Sequence, residues 1–157
     1  MTVELRRATA DDATSIAALV TAAYSVYIER IGRPPGPMLA DYREVVADDE
    51  AWVAVDGAEI VGVLVLEPEA ESLLVENVAV APHAQGRGIG RLLLDHAELR
   101  AREHGLGEVR LYTHRTMTEN QAIYRARGFV EDDRRTEDGS ARVFLRKPLL
   151  DDRSKPV

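Results

Sequence analysis

The sequence predicts an α+β fold, an α/β/α three-layer sandwich built on a mixed sheet. Three observations predict it. Short β-rich runs and helical segments follow one another in the order β α α β β β α β α β β. Two hairpin signals, Asp56-Gly57 and Asp138-Gly139, join neighbouring strands, so part of the sheet is antiparallel. A glycine-rich turn from strand to helix, over residues 78–93, occupies the middle of the chain.

The elements follow in order. Residues 3–6 alternate apolar and polar and form a strand. Thr9, with Asp12 three positions later, is a capping box that opens a helix. Ile16, Leu19, Val20 and Ala23 continue it at helical spacing. The segment 31–37 carries Pro34, Pro35 and Pro37 and is expected outside any helix, because proline lacks the N–H and fixes φ. A second short helix is expected over 38–47. Residues 51–55 and 60–66 are strands around Asp56-Gly57, and 72–81 is another, stopped by Pro82. Ile89, Leu92, Leu93 and Ala97 trace a helix that ends near Gly105 or Gly107. A strand over 109–113, a helix over 119–127 stopped by Gly128, and a hairpin of 129–136 and 141–146 complete the chain.

The 157 residues suit one domain, expected over 1–147 and followed by a polar tail over 148–157. Lys and Arg total 20 against 27 Asp and Glu, a formal net charge of −7. That excludes a protein built to grip nucleic-acid phosphates through a basic face. There is no Cys, which excludes disulfides, a thiolate nucleophile and Cys-ligated zinc. His96 and His104 show no ligand pattern, and no metal site is expected. Apolar runs are too short to span a bilayer, and Arg6 and Arg7 break up the N-terminus. The expected protein is cytoplasmic, with no membrane or nucleic-acid partner.

The stretch with most chemistry is Val78-Ala79-Val80-Ala81-Pro82-His83-Ala84-Gln85-Gly86-Arg87-Gly88-Ile89-Gly90-Arg91. Glycines permit positive φ and close approach of a ligand to backbone N–H groups. The helix that follows offers its unpaired N–H groups and positive dipole end, which makes an anion site suited to phosphate. The dinucleotide fingerprint fails because Arg91 stands where the third glycine belongs. The Walker pattern fails because no Lys-Ser or Lys-Thr follows. What remains is Gln85-x-x-Gly88-x-Gly90.

At these residues the chain resembles the GNAT superfamily of acyl-CoA-dependent N-acyltransferases, whose signature is Q/R-x-x-G-x-G/A at the start of the central helix. The resemblance continues through residues 6–12, through Glu76-Asn77-Val78-Ala79-Val80-Ala81-Pro82, and through Asn120-Gln121-Ala122-Ile123-Tyr124 to Gly128-Phe129. It implies a sheet splayed between its fourth and fifth strands, acetyl-CoA as acyl donor and CoA as product. The backbone at Val78, Ala79 and Val80 would pair with the pantetheine arm, and the N–H groups of Gln85, Gly86, Arg87, Gly88, Ile89, Gly90 and Arg91 would hold the pyrophosphate. Many members carry an Asn seven residues before the helix tyrosine. Here Met117 stands there, and Asn120 is the substitute candidate for that CoA contact.

By the same resemblance Tyr124 is the proton donor to the leaving thiolate. Its alternative is a half-buried ring that closes the helix on the sheet. Glu76 shares a strand face with Val78 and Val80, since side chains alternate with period two, and is a candidate general base. Its alternative is a solvent-facing carboxylate. His114 is the second candidate base. Acceptor specificity in the family comes from the first helices and their loop, here Tyr27, Arg33, Met38 and Tyr42, with Tyr24 and Asp41 nearby. The expected reaction is acetyl transfer to a primary amine of a small molecule, peptide or protein. The other reading is a non-catalytic acyl-CoA sensor on the same fold. Dimers are common in the family, so a homodimer is expected by analogy.

Overall fold

The computed structural model describes residues 2–149. Seven strands form one mixed sheet with helices on its sides. The strands are β1 (Val3–Arg7), β2 (Glu50–Asp56), β3 (Glu59–Pro68), β4 (Ser72–Val80), β5 (Glu108–His114), β6 (Val130–Glu137) and β7 (Ser140–Pro148). Their order is β1-β2-β3-β4-β5-β7-β6. The helices are α1 (Ala13–Tyr24), α2 (Ile28–Ile31), α3 (Gly36–Leu39), α4 (Tyr42–Asp48), α5 (Ile89–Glu103) and α6 (Thr118–Ala126). Pairing of β4 with β5 is parallel and covers four positions, Ser72↔Glu108 through Val75↔Leu111. It stops there, which is the splay expected between the fourth and fifth strands.

The chain divides into two compact units. The first runs through Glu67 and takes up again over Glu76–His96; the second holds Pro68–Val75 and the residues from Ala97 onward.

In the first unit, β1, β2 and β3 are antiparallel neighbours. The β2–β3 hairpin turns tightly at Asp56↔Glu59, with Gly57 at φ 63°, where a left-handed residue is required. A bulge between Ala54 and Val55 shifts the register by one. Ile16, Val20, Val53, Val61, Val63 and Leu64 are fully buried and form the core. The entry to α1 is clamped by charge. Arg6 donates two hydrogen bonds to Asp12, at 2.8 and 3.0 Å, and Asp12 also accepts from the Thr9 N–H at 2.8 Å. These donors hold the Asp12 carboxyl down to about 2.

Two expectations are corrected here. The single helix over 38–47 is two helices, α3 and α4. Ala40 is extended (φ −72°, ψ 146°), and Asp41 starts α4 afresh by accepting from the Arg43 N–H at 3.0 Å. The proline segment is not wholly outside helix, because Gly36 and Pro37 form the first turn of α3. Proline is tolerated there, since its missing N–H has no intrahelical partner to lose.

In the second unit, β5 pairs with β7 and β7 with β6, all antiparallel. The β6–β7 turn has Asp138 at φ 50° and Gly139 at φ 78°, the two left-handed residues that a type I′ turn needs. Leu73, Val109, Leu111, Phe129, Val143 and Leu145 form its core. The expected tail beyond Leu149 lies outside the described residues.

Candidate active site

Strand β4 sets the site. Glu76, Val78 and Val80 are half-buried, while Asn77 and Ala79 on the opposite face are buried. The Ala81 N–H donates to the Val61 carbonyl of β3 at 2.9 Å. Successive peptide groups in a strand point to opposite edges, so residues 77, 79 and 81 face β3 and 76, 78 and 80 face away. Side chains meet those outward carbonyls. The Tyr24 hydroxyl lies 3.2 Å from the Val78 oxygen, and Gln85 Nε2 lies 3.4 Å from the Val80 oxygen.

The glycine turn follows. Ala84 and Ile89 are buried anchors on either side of the exposed residues 85–88. Gly86 and Gly88 have φ of 81° and 84°, and the space a Cβ would take is open at both. Gly88 supplies the carbonyl that accepts the first helical bond of α5, from Leu92 at 3.0 Å. The N–H groups of Ile89, Gly90 and Arg91 therefore have no partner within the helix and point along its positive end. The helix is seated hard on the sheet. A Cβ at Gly62 of β3 would lie 3.0 Å from Leu93, 3.1 Å from Ile89 and 3.2 Å from Ala54. The cradle fits a pyrophosphate, with room for backbone approach and donors already aimed. The Arg87 side chain bonds Asp56 at the β2–β3 turn at 2.9 Å. His83 is paired with Glu59 at 2.7 Å.

Glu76 has company that the sequence did not announce. Its acidic neighbours are Glu67, at the end of β3, and Asp49, just before β2. Burial first, then these two acids, push Glu76 up to about 8. Burial and Glu67 also raise Asp49. Three acids thus meet, and Glu76 holds the proton. Asp49 and Glu67 are neighbours of Glu76 that sequence reasoning missed.

Among the residues expected to meet the acceptor, Tyr27 is half-buried, with the Arg30 guanidinium 5.4 Å from its ring and Tyr24 at 6.4 Å. Met38 is half-buried in α3, and Arg33 is exposed. Tyr42 is buried, and burial pushes its hydroxyl up to about 12.

The second unit holds the other candidates. Tyr124 and Asn120 lie one turn apart on α6, both half-buried, and the Tyr124 ring packs edge-on against buried Phe129 at 5.9 Å. Met117 is buried, and its sulfur accepts from Thr113 Oγ1 at 3.7 Å. That explains why an apolar residue suits this position. Gln121 is buried too and donates to the carbonyls of His114 and Arg115. At His114, Nδ1 accepts from the Thr116 N–H at 3.2 Å and lies 2.8 Å from the Thr116 hydroxyl. An Nδ1 that accepts leaves the ring proton of the neutral imidazole on Nε2. In that tautomer His114 presents a donor rather than a base.

With this geometry in hand, comparison with known proteins identifies the class. A sequence model of the Acetyltransferase (GNAT) domain matches residues 47–131, more than half of the chain. The chain belongs to the GNAT acetyltransferase family. Among curated relatives, the streptothricin acetyltransferase of Streptomyces lavendulae is 37% identical over 88 residues, 54% of this chain. That match spans 46% of the relative's own length. Among solved structures, the PaiA N-acetyltransferase of Thermoplasma acidophilum, in complex with coenzyme A, has a TM-score of 0.78 at 20% identity, covering 95% of this chain and 100% of that one. The ribosomal-protein-S18-alanine N-acetyltransferase of Escherichia coli has a TM-score of 0.75 at 16% identity, covering 96% and 97%. These likenesses establish the fold. No helix among the described residues is long and apolar enough to cross a membrane.

Proposed function

We propose that the protein is an acetyl-CoA-dependent N-acetyltransferase that acts on a primary amine. One observation carries this reading: Glu76, with its proton affinity displaced to about 8, shares a strand face with Val78 and Val80, a few residues before a glycine turn open to an anion. Perturbed carboxyls placed beside a ligand cradle suit proton transfer at neutral pH. Glycine N–H groups at the head of α5 take the pyrophosphate, the outward β4 edge at Val78 and Val80 takes the pantetheine arm, and Asn120 contacts the CoA. The expected contact at Ala79 is corrected, because its peptide groups face β3.

The chemistry then follows from the chain's own groups. The amine nitrogen attacks the thioester carbon and forms the C–N bond. The Val78 N–H polarises the carbonyl oxygen as it gains charge. The amine proton passes to the Glu76 carboxylate, the C–S bond breaks, and the Tyr124 hydroxyl protonates the departing thiolate. Glu76 carries a proton at neutral pH and must lose it first. An incoming ammonium supplies positive charge beside Asp49, Glu67 and Glu76 and lowers that proton affinity, so that Glu76 releases its proton to water. The ammonium gives one proton to water, which frees the lone pair that attacks, and its second passes to Glu76 once the C–N bond forms. The engaged Nδ1 of His114 favours Glu76 over His114 as base. Tyr27, Arg33, Met38 and Tyr42 belong to the acceptor side, and the exposed apolar Val26 and Leu39 favour an amine with an apolar body.

The test is an amine screen that reads thiol release from acetyl-CoA, with streptothricin, polyamines and N-terminal peptides as acceptors. Turnover that Glu76→Gln lowers by about 10²- to 10⁴-fold is expected. Acetyl-CoA binding without turnover of any amine would favour the non-catalytic sensor.

A further inference from the structure

The buried face of strand β4 carries one polar side chain, Asn77, whose work the reaction above does not use. Asn77 lies between Glu76 and Val78 but points the other way and is buried, 7% exposed. Its amide is the middle of a directed chain. The Tyr24 hydroxyl, at the end of α1, donates to Asn77 Oδ1 at 2.9 Å and reaches the Val78 carbonyl at 3.2 Å. Asn77 Nδ2 donates to the Tyr42 hydroxyl at 3.1 Å. Tyr42 in turn donates to the Pro37 carbonyl at 2.5 Å. Burial keeps Tyr42 a neutral phenol, hence a donor at any working pH.

The far end of the chain is a segment in need of an anchor. α2 and α3 have four residues each, too few to be stable alone. Ala40 and Asp41 interrupt the helix on the other side. The near end is the Val78 peptide, next to the candidate base.

We infer that Tyr24 and Asn77 are positioning residues for the amine acceptor: acting through Tyr42, they tie the turn at Pro37 to strand β4 beside Glu76. The inference rests on the acetyltransferase reading, which makes that segment the acceptor side. The chain touches the acyl-donor strand only on its buried face and at one carbonyl that has a second lone pair to offer. Breaking it therefore loosens the acceptor wall and leaves the acyl-CoA cradle standing.

The experiment is a double-mutant cycle of Tyr24→Phe and Tyr42→Phe, with Asn77→Ala alongside, measured by steady-state kinetics. Each single change removes one hydroxyl and keeps the ring. The acceptor KM is expected to rise about three- to tenfold, the scale of one neutral hydrogen bond. The acetyl-CoA KM and the melting shift with CoA should stay near wild type. The double variant should lose less than the product of the singles, because a chain cut twice is no more cut than once. Asn77→Ala should match the double. An unchanged acceptor KM, a parallel rise in the acetyl-CoA KM, or fully multiplicative effects would overturn the inference. Tryptic cleavage after Arg30, exposed in α2 and followed by Ile31, gives a readout independent of turnover, and both tyrosine variants should be cut faster. If wild type acetylates no amine, the functional reading fails, and the acceptor role with it. If wild type is active and cleavage after Arg30 is unchanged in the tyrosine variants, only the inference fails.

Discussion

The glycine turn and the carboxylate group at Glu76 both belong to the first unit, yet they are built in opposite ways. The turn is made of contiguous residues, 85–91, and its conformation is written in its own glycines at φ 81° and 84°. The carboxylate group draws Asp49 from just before β2, Glu67 from the end of β3 and Glu76 from the middle of β4, and none of them is unusual alone. The turn offers backbone donors suited to an anion. The acids do the reverse: they crowd like charges together until one keeps its proton. A contiguous site stands or falls with single residues, whereas an assembled one can be tuned by its neighbours.

That contrast can be broken hardest at Gly88. Gly88→Val puts a branched side chain at φ 84°, where L residues are strained, and fills the open cradle. At about 100 times its dissociation constant, acetyl-CoA should raise the wild-type melting temperature by roughly 5–10 °C. The variant should lose that shift while keeping its far-UV circular dichroism. A folded variant with a normal shift would remove the turn from the site.

The second test is Glu76→Gln. Turnover should fall by about 10²- to 10⁴-fold, the range for a lost general base. Wild-type kcat/KM should rise with pH through about 8, and the variant should lose that limb. Asp49→Asn should move the limb to lower pH, because a raising neighbour is gone. Stability gives the same group an independent readout. Its folded proton affinity, about 8, exceeds the ordinary 4.5, so its contribution is full below about pH 4.5 and is lost as pH rises through 8. Melting curves should show Glu76→Gln gaining on wild type between pH 5 and 8. A constant gap would mean that Glu76 ionises normally.

Tyr124→Phe should lower kcat by about 10²-fold and leave the acetyl-CoA KM nearly unchanged. Turnover within threefold of wild type from pH 6 to 10 would make the tyrosine structural, a partner for Phe129 only. The smallest effect is expected at Gly90→Ala. Its Cβ would sit 3.8 Å from Val80, an ordinary contact. CoA binding should persist, and the melting temperature should rise by about 2 °C, since glycine inside a helix costs roughly 0.5–1 kcal/mol relative to alanine. Loss of binding would mean that the cradle is tighter at its helix end than the geometry implies.

The sequence was legible wherever a signal was local. The hairpins at Asp56-Gly57 and Asp138-Gly139, the box at Thr9 and Asp12, and the turn before α5 could all be read from neighbouring residues. The break at Ala40 could not, because residues 38–47 carry helical patterning and only the Asp41 cap competes with it. The acid group was hidden by a register. Counting back from Asp56↔Glu59 places Leu66 opposite Asp49. The bulge at Ala54 and Val55 adds one residue, so that Glu50 faces Leu66 and Asp49 comes level with Glu67. No pattern in the sequence announces that extra residue. The tyrosine relay was equally hidden, since its members lie far apart in the chain and each reads as ordinary helix or strand.

The bare Cα of Gly62 bears on how much entropy ligand binding must lose. The turn it supports is exposed and rich in glycine, and such a segment left alone would sample many backbone states. Here its outgoing end is held by Ile89 and Leu93 against Gly62 and Ala54, so its stiffness is borrowed from the core beneath. The ordering cost at the head of α5 is met when the chain folds rather than when the anion arrives. Calorimetry of CoA binding should then find little entropic penalty from the protein, and a larger one once a methyl group at position 62 lifts the helix from the sheet.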